Sequence, residues 1–264
     1  MRCAFQVGVI ECLAELSIEP SLVVGVSGGV WNGAAVAAGT HLRLRHYWRT
    51  FARMPRLDFR NVLREHSPFI FPELHRRTFS RYVGPARLKS ADTLPFWVAL
   101  TRLRDRVSVL IDARTVDDPL QLLLAANFLP PFYTHTPPIG SERYGDGGVT
   151  NNCPYEKAFE EGCDAVVLVS LKGESEGGLY RSATDTEHHI APQFADRTVV
   201  IRPRHRLPLS FTERRWEKLR DAMDIGYFRA REVLCGEIHP QTGIRASLPA
   251  PSVVLARWIS ILRS

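Results

Sequence analysis

The stretch Glu19–Gly39, EPSLVVGVSGGVWNGAAVAAG, constrains the fold more than any other part of the chain. Pro20 stops whatever precedes it, and Leu22–Val24 is a short run of strand formers. Residues 28–38 then turn to helix-like composition, with Ala34, Ala35, Ala37 and Ala38 as small close-packing side chains and Gly39 as a stop. Upstream, residues 4–17 repeat apolar positions at helical spacing through Phe5, Val9, Cys12, Leu13 and Leu16. Helix, buried strand, helix is the order of an α/β layer built on a largely parallel sheet.

With 264 residues and 45% hydrophobic content, the chain can bury a large core, and a single domain over 1–264 is expected. Its core is read as about 1–205, with a helical extension over about 206–264. A net charge of +6 points to anionic partners without choosing between lipid headgroups and nucleic acid. Cys3, Cys12, Cys153, Cys163 and Cys235 are scattered and odd in number, which fits reduced thiols in a cytoplasmic protein and no zinc site. The opening MRCAFQVGVIECLAEL is broken by Gln6, Glu11 and Glu15 and does not read as a signal peptide. No run is long enough to cross a bilayer, so membrane association is expected to be peripheral.

Further along, 41–54 reads as a basic amphipathic helix with Leu42, Tyr47 and Phe51 inward and Arg43, Arg45 and Arg49 outward. The prolines of 55–96 predict short helices and loops, a lid or rim. Strands are expected at 106–114, 164–171 and 197–203, helices from Pro119 and over 155–161, turn material at 142–154 and a loop at 173–194. A Ser-x-x-Glu box at Ser210 predicts a long helix over 210–234 with an interruption near Gly226, and a short apolar element follows near 253–262.

Gly25-Val26-Ser27-Gly28-Gly29 has the form of a nucleophile elbow. A sharp strand-to-helix turn holds a serine in a strained conformation, small neighbours leave its oxygen accessible, and the next helix aims free N–H groups at the site. An ordinary glycine-rich turn is the alternative. A serine hydroxyl needs a base. The candidates are His41, His46, His66, His75, His135, His188, His189, His205 and His239; His205, after a strand and among arginines, is the best placed, but each reads as a surface or rim histidine. Asp146 in Tyr-Gly-Asp-Gly-Gly-Val is the better partner, because flanking glycines again admit a close approach; a plain Asp-Gly turn is the alternative.

Taken together, these segments resemble the patatin-like phospholipase family. GVSGGVWNGA is similar to its nucleophile elbow, YGDGGVTNNCP to its Asp-Gly-Gly motif, LLLAANFLPPFY to the helix and proline turn before that motif, and GCDAVVLVSL to the strand after it. AFQVGVIECLAEL resembles the helix after the family's glycine-rich first loop, and the likeness runs from Arg2 to about residue 171. The resemblance implies a three-layer α/β/α sandwich and a serine acyl-ester hydrolase acting on lipids, phospholipase A or lysophospholipase-like, without metal or other cofactor. Ser27 would be the nucleophile and Asp146 the general base. Gly25, Gly28 and Gly29 would shape the elbow, and Gly147 and Gly148 the aspartate turn. The oxyanion donors would come from Gly28 and from the region of Arg2 and Cys3. There the pattern departs: Arg2 matches the family's arginine, Cys3 stands where glycine is usual, and the first strand and glycine run do not precede them. A misplaced start and a degenerate relative acting as a lipid-binding or regulatory protein both remain open explanations. Asn127, where the family usually has serine, is read as packing. Phe69, Ile70, Phe71, Phe96, Trp97 and Phe128 line either an acyl channel or the core, and the arginines of 43–60 and 202–220 face either headgroup phosphates or solvent. No nucleic-acid-binding module is recognisable.

Overall fold

A computed structural model describes residues 1–134, 136, 138–173 and 190–236. In chain order the helices are α1 (Ala4–Glu15), α2 (Val30–Ala37), α3 (Leu44–Arg53), α4 (Val62–Glu65), α5 (Phe71–Tyr82), α6 (Pro119–Ala125), α7 (Glu156–Glu160), α8 (Pro192–Ala195) and α9 (Trp216–Cys235). The strands are β1 (Val23–Val26), β2 (Phe96–Arg102), β3 (Val107–Asp112), β4 (Pro138–Ile139), β5 (Glu142–Asp146), β6 (Val166–Val169) and β7 (Thr198–Ile201). The architecture is α/β, as expected: helices with mixed sheets and no closed barrel among the described residues. The chain divides into two compact units, one of residues 1–20, 155–173 and 190–236 and one of residues 21–154.

In the unit of 21–154, β2 organises the sheet. β3 pairs antiparallel with β2 over Trp97–Arg102 and so occupies one edge. Parallel β1 and antiparallel β5 must therefore share the other edge end to end, β1 opposite Phe96–Ala99 and β5 opposite Leu100–Arg102. β4 pairs with the outer end of β5. β2 lies beyond the expected strands because Phe96 and Trp97 follow a proline and read equally as channel or core residues. Phe96 is fully buried, and its ring meets Gly25 and Gly33, where an added Cβ would come within 3.0 and 2.9 Å of it. Those two glycines let α2 lie close on β1 and β2. Asn127 donates its side-chain amide to the Leu123 carbonyl at 2.8 Å, a packing role as expected.

The helices of this unit enclose an aromatic core. Trp31 stacks on His75 with centroids 4.0 Å apart, Phe51 covers the ring at 4.4 Å, and the Tyr47 hydroxyl lies 2.6 Å from His75 Nδ1. Burial, reinforced by the Arg56 charge, holds the His75 pKa well below its ordinary value, so this histidine is a neutral core residue and not the expected rim one. Leu42 also departs from expectation. It sits on the 3₁₀ turn before α3 and is 76% exposed, while Leu44, Tyr47, Trp48, Phe51 and Ala52 form the buried face.

In the other unit, α1 packs along α9, and β6 pairs parallel with β7. A Cβ on Gly8 would lie 1.7 Å from the Met223 carbonyl oxygen, and one on Gly226 would lie 2.0 Å from that of Phe5. Gly226 therefore does not interrupt α9; it lets the two backbones touch. Phe5, Val9, Cys12, Ile201, Leu207, Ala230 and Leu234 form the core there. α9 begins at Trp216, six residues after the expected start; in the turn just before it the Glu213 carboxylate accepts from Arg214 N and Arg215 N at 3.1 Å each. The Arg215 guanidinium bonded to this carboxyl, helped by the backbone N–H donors and Arg215's charge, holds its pKa down to about 2. All five cysteines are free thiols. No helix among the described residues is long and apolar enough to cross a membrane. The expected element at 253–262, most of the 173–194 loop, and His135, His188, His189 and His239 lie outside the described residues.

Candidate active site

The site follows from how β1 and β5 share the edge of β2. β1 ends at Val26, opposite Ala99, and β5 ends at Asp146, opposite Leu100. Two strand ends pointing at each other across consecutive residues of one neighbour bring Ser27 and Asp146 face to face. The Ser27 hydroxyl donates to Asp146 Oδ2 at 2.6 Å, across 119 positions of sequence.

Each partner is fixed by its own turn. Ser27 has φ +50, the left-handed region that a residue with a Cβ rarely adopts, between extended Val26 and the 3₁₀ turn Ser27–Gly29 that leads into α2. Gly25, just before it, faces the start of α2, and a Cβ there would lie 3.1 Å from Val30 Cα. Gly28 and Gly29 complete the turn. As the first residues of a helical start, their N–H groups have no intrahelical acceptor.

Asp146 is 1% exposed. Its Oδ1 accepts from Gly148 N at 2.9 Å, which orients the carboxylate and leaves Oδ2 for Ser27. Gly147 lies against the backbone of β2, where a Cβ would meet the Ala99 carbonyl oxygen at 2.4 Å. The Thr101 hydroxyl donates to the Asp146 carbonyl at 2.8 Å and lies 2.9 Å from the Thr150 hydroxyl, so β2 also grips the turn through a side chain. The expected turn over 142–154 is thus a strand, Glu142–Asp146, followed by the turn.

A family model described as patatin-like phospholipase matches residues 1–159, more than half of the chain. The chain belongs to the patatin-like phospholipase family. The match spans both Ser27 and Asp146, and membership points to acyl hydrolysis of lipids. No curated protein matches the chain.

Arg2 and Cys3 open α1 in the other unit, where the Arg2 carbonyl accepts from Phe5 N at 2.9 Å and Cys3 is the N-terminal cap residue. His205, the best-placed histidine by sequence, is exposed. Phe71 and Phe96 are buried core residues. Thr101, Thr150 and Gly33 escaped the sequence reading. Threonine in a strand carries no mark of a polar latch, and Gly33 is one small residue in an alanine-rich helix.

Proposed function

We propose that the protein is a serine acyl-ester hydrolase of lipids, with Ser27 as nucleophile and Asp146 as general base. The observation that carries this reading is the 2.6 Å hydrogen bond from the Ser27 hydroxyl to the Asp146 carboxylate, formed by a serine in a left-handed conformation. A buried carboxylate with one oxygen held by Gly148 N and the other on a hydroxyl is suited to take that hydroxyl's proton.

The Ser27 oxygen attacks the ester carbonyl as Asp146 takes its proton. The tetrahedral oxyanion is held by backbone N–H, with Gly28 the nearest candidate in sequence; one such donor is worth about 3 kcal/mol of barrier. Collapse breaks the ester C–O bond, and the leaving alcohol or lysolipid receives the proton from Asp146. Water then adds to the acyl-serine with Asp146 again as base. The fatty acid leaves, and Ser27 regains its proton.

Labelling with a fluorophosphonate probe, read by intact mass and peptide mapping, tests the reading. One adduct on Ser27, absent from Ser27→Ala, is expected. Equal labelling of both proteins would overturn it.

A further inference from the structure

We propose that the surface from Leu42 to Leu63 docks the protein on an anionic phospholipid bilayer. No acidic residue occurs between Glu19 and Asp58. Within that span the outward residues Arg43, His46, Arg49 and Arg53 follow one another at helical spacing along α3 and the turn before it, and all four are exposed. Arg49, Arg53 and Arg81 line a cavity of about 610 Å³, together with the hydroxyls of Thr50 and Tyr82, which lie 2.7 Å apart. That lining suits phosphate oxygens: guanidinium donors beside neutral hydroxyls.

The apolar half of the surface follows directly in the chain. Phe59 is 76% exposed and Leu63 89%, and Leu57 and Val62 beside them are exposed as well. This exposure is held in place. Asp58 N donates to the Pro68 carbonyl at 2.9 Å, and Ile70 N to that of Arg56 at 3.0 Å. The buried Asn61 amide donates to the Ser67 and Phe69 carbonyls at 3.0 and 3.1 Å. The base of the segment is thus tied down, and its tip presents large apolar side chains to water. The Asp58 carboxylate is engaged by Arg60, so it subtracts little from the positive field.

A rigid apolar tip beside an all-basic helix face matches a medium with anionic headgroups over a hydrocarbon interior. A nucleic acid would take the arginines and leave Phe59 and Leu63 in water. A second copy of the same face would cover the apolar tip and oppose arginine to arginine. The inference goes beyond the acyl-transfer reading and does not depend on it.

The test is flotation of the full chain, carrying Ser27→Ala so that no lipid is consumed, with vesicles of phosphatidylcholine alone or with about one third phosphatidylglycerol. Binding to the anionic vesicles, falling steeply with salt, is expected. Phe59→Ser/Leu63→Ser should weaken it about tenfold or more. Arg49→Gln/Arg53→Gln should weaken it about fivefold per arginine at low salt and flatten the salt dependence. Phe59→Trp should add a blue-shifted emission component on anionic vesicles that brominated lipids quench. Unchanged vesicle binding by both double variants, with melting temperatures like the parent's, would overturn the proposal. So would Phe59→Trp emission untouched by brominated lipid, duplex DNA displacing the protein from vesicles, or a tip variant that only turns a dimer into a monomer.

Discussion

Replacing Gly147 by alanine probes the arrangement that brings serine and aspartate together. The new methyl group would lie 2.4 Å from the Ala99 carbonyl oxygen, 2.5 Å from its carbon and 2.8 Å from Leu100 N. Ordinary carbon contacts need about 3.5 Å, so roughly 1 Å must open. The obstacle is the backbone of β2, clamped by β3 on one edge and by β1 and β5 on the other, and no rotamer change relieves it. Overpacking of this kind costs about 1–3 kcal/mol. The strain falls on the residue next to Asp146, so the carboxylate moves with it, and a displacement near 1 Å costs roughly 10²-fold in rate. The assay pairs urea unfolding with turnover of a soluble ester, and Gly145→Ala is the control. There the new Cβ meets only the ends of Leu103 and Phe128, at 3.0 and 3.3 Å, and side chains can yield. The expected result is a Gly147→Ala protein that folds less stably and turns over at about one hundredth of the normal rate, with Gly145→Ala much closer to wild type. Gly147→Ala with normal stability and turnover would refute the reasoning.

Three further outcomes are expected. Ser27→Gly should be more stable than Ser27→Ala by about 1 kcal/mol in chemical denaturation, because both lose the hydroxyl and only glycine relieves the left-handed backbone. Thr101→Val removes a 2.8 Å hydrogen bond and leaves the Asp146 carbonyl short of a donor; a loss of about 1–3 kcal/mol should be visible in urea unfolding, with a fall in turnover. Glu213 has a folded-state pKa of about 2 against an ordinary 4.5, so its stabilisation is fully present above pH 4.5 and is lost as pH falls toward 2; Glu213→Gln should flatten the melting-temperature loss across that acid window.

Much of this was legible from local pattern. Ser27 between glycines, after β-branched residues and before an alanine run, encodes a strand, a strained turn and a helix within a few positions. Asp146 carries the same glycine mark. What local pattern does not encode is the partner that joins them. β2 is bordered by Pro95, is apolar almost throughout and has neither helical nor alternating periodicity, so its sequence does not separate a central strand from a channel lining. The start of α9 was misplaced for a related reason: Ser210 and Glu213 have the spacing of a capping box, but the Glu213 carboxylate is taken by the N–H groups of Arg214 and Arg215. Gly226 looks like a helix weakness until the opposing backbone of α1 is in view. His75 reads as a rim residue until Trp31 and Phe51 are found on either side of it.

The most direct measurement is the initial rate of hydrolysis of a soluble p-nitrophenyl acyl ester by the wild-type protein, Ser27→Ala and Asp146→Asn, each verified as folded. The account predicts that Ser27→Ala falls to the uncatalysed background and that Asp146→Asn, which keeps the shape and loses the base, drops at least about 10²-fold. Turnover by Ser27→Ala or Asp146→Asn at the wild-type rate would contradict it.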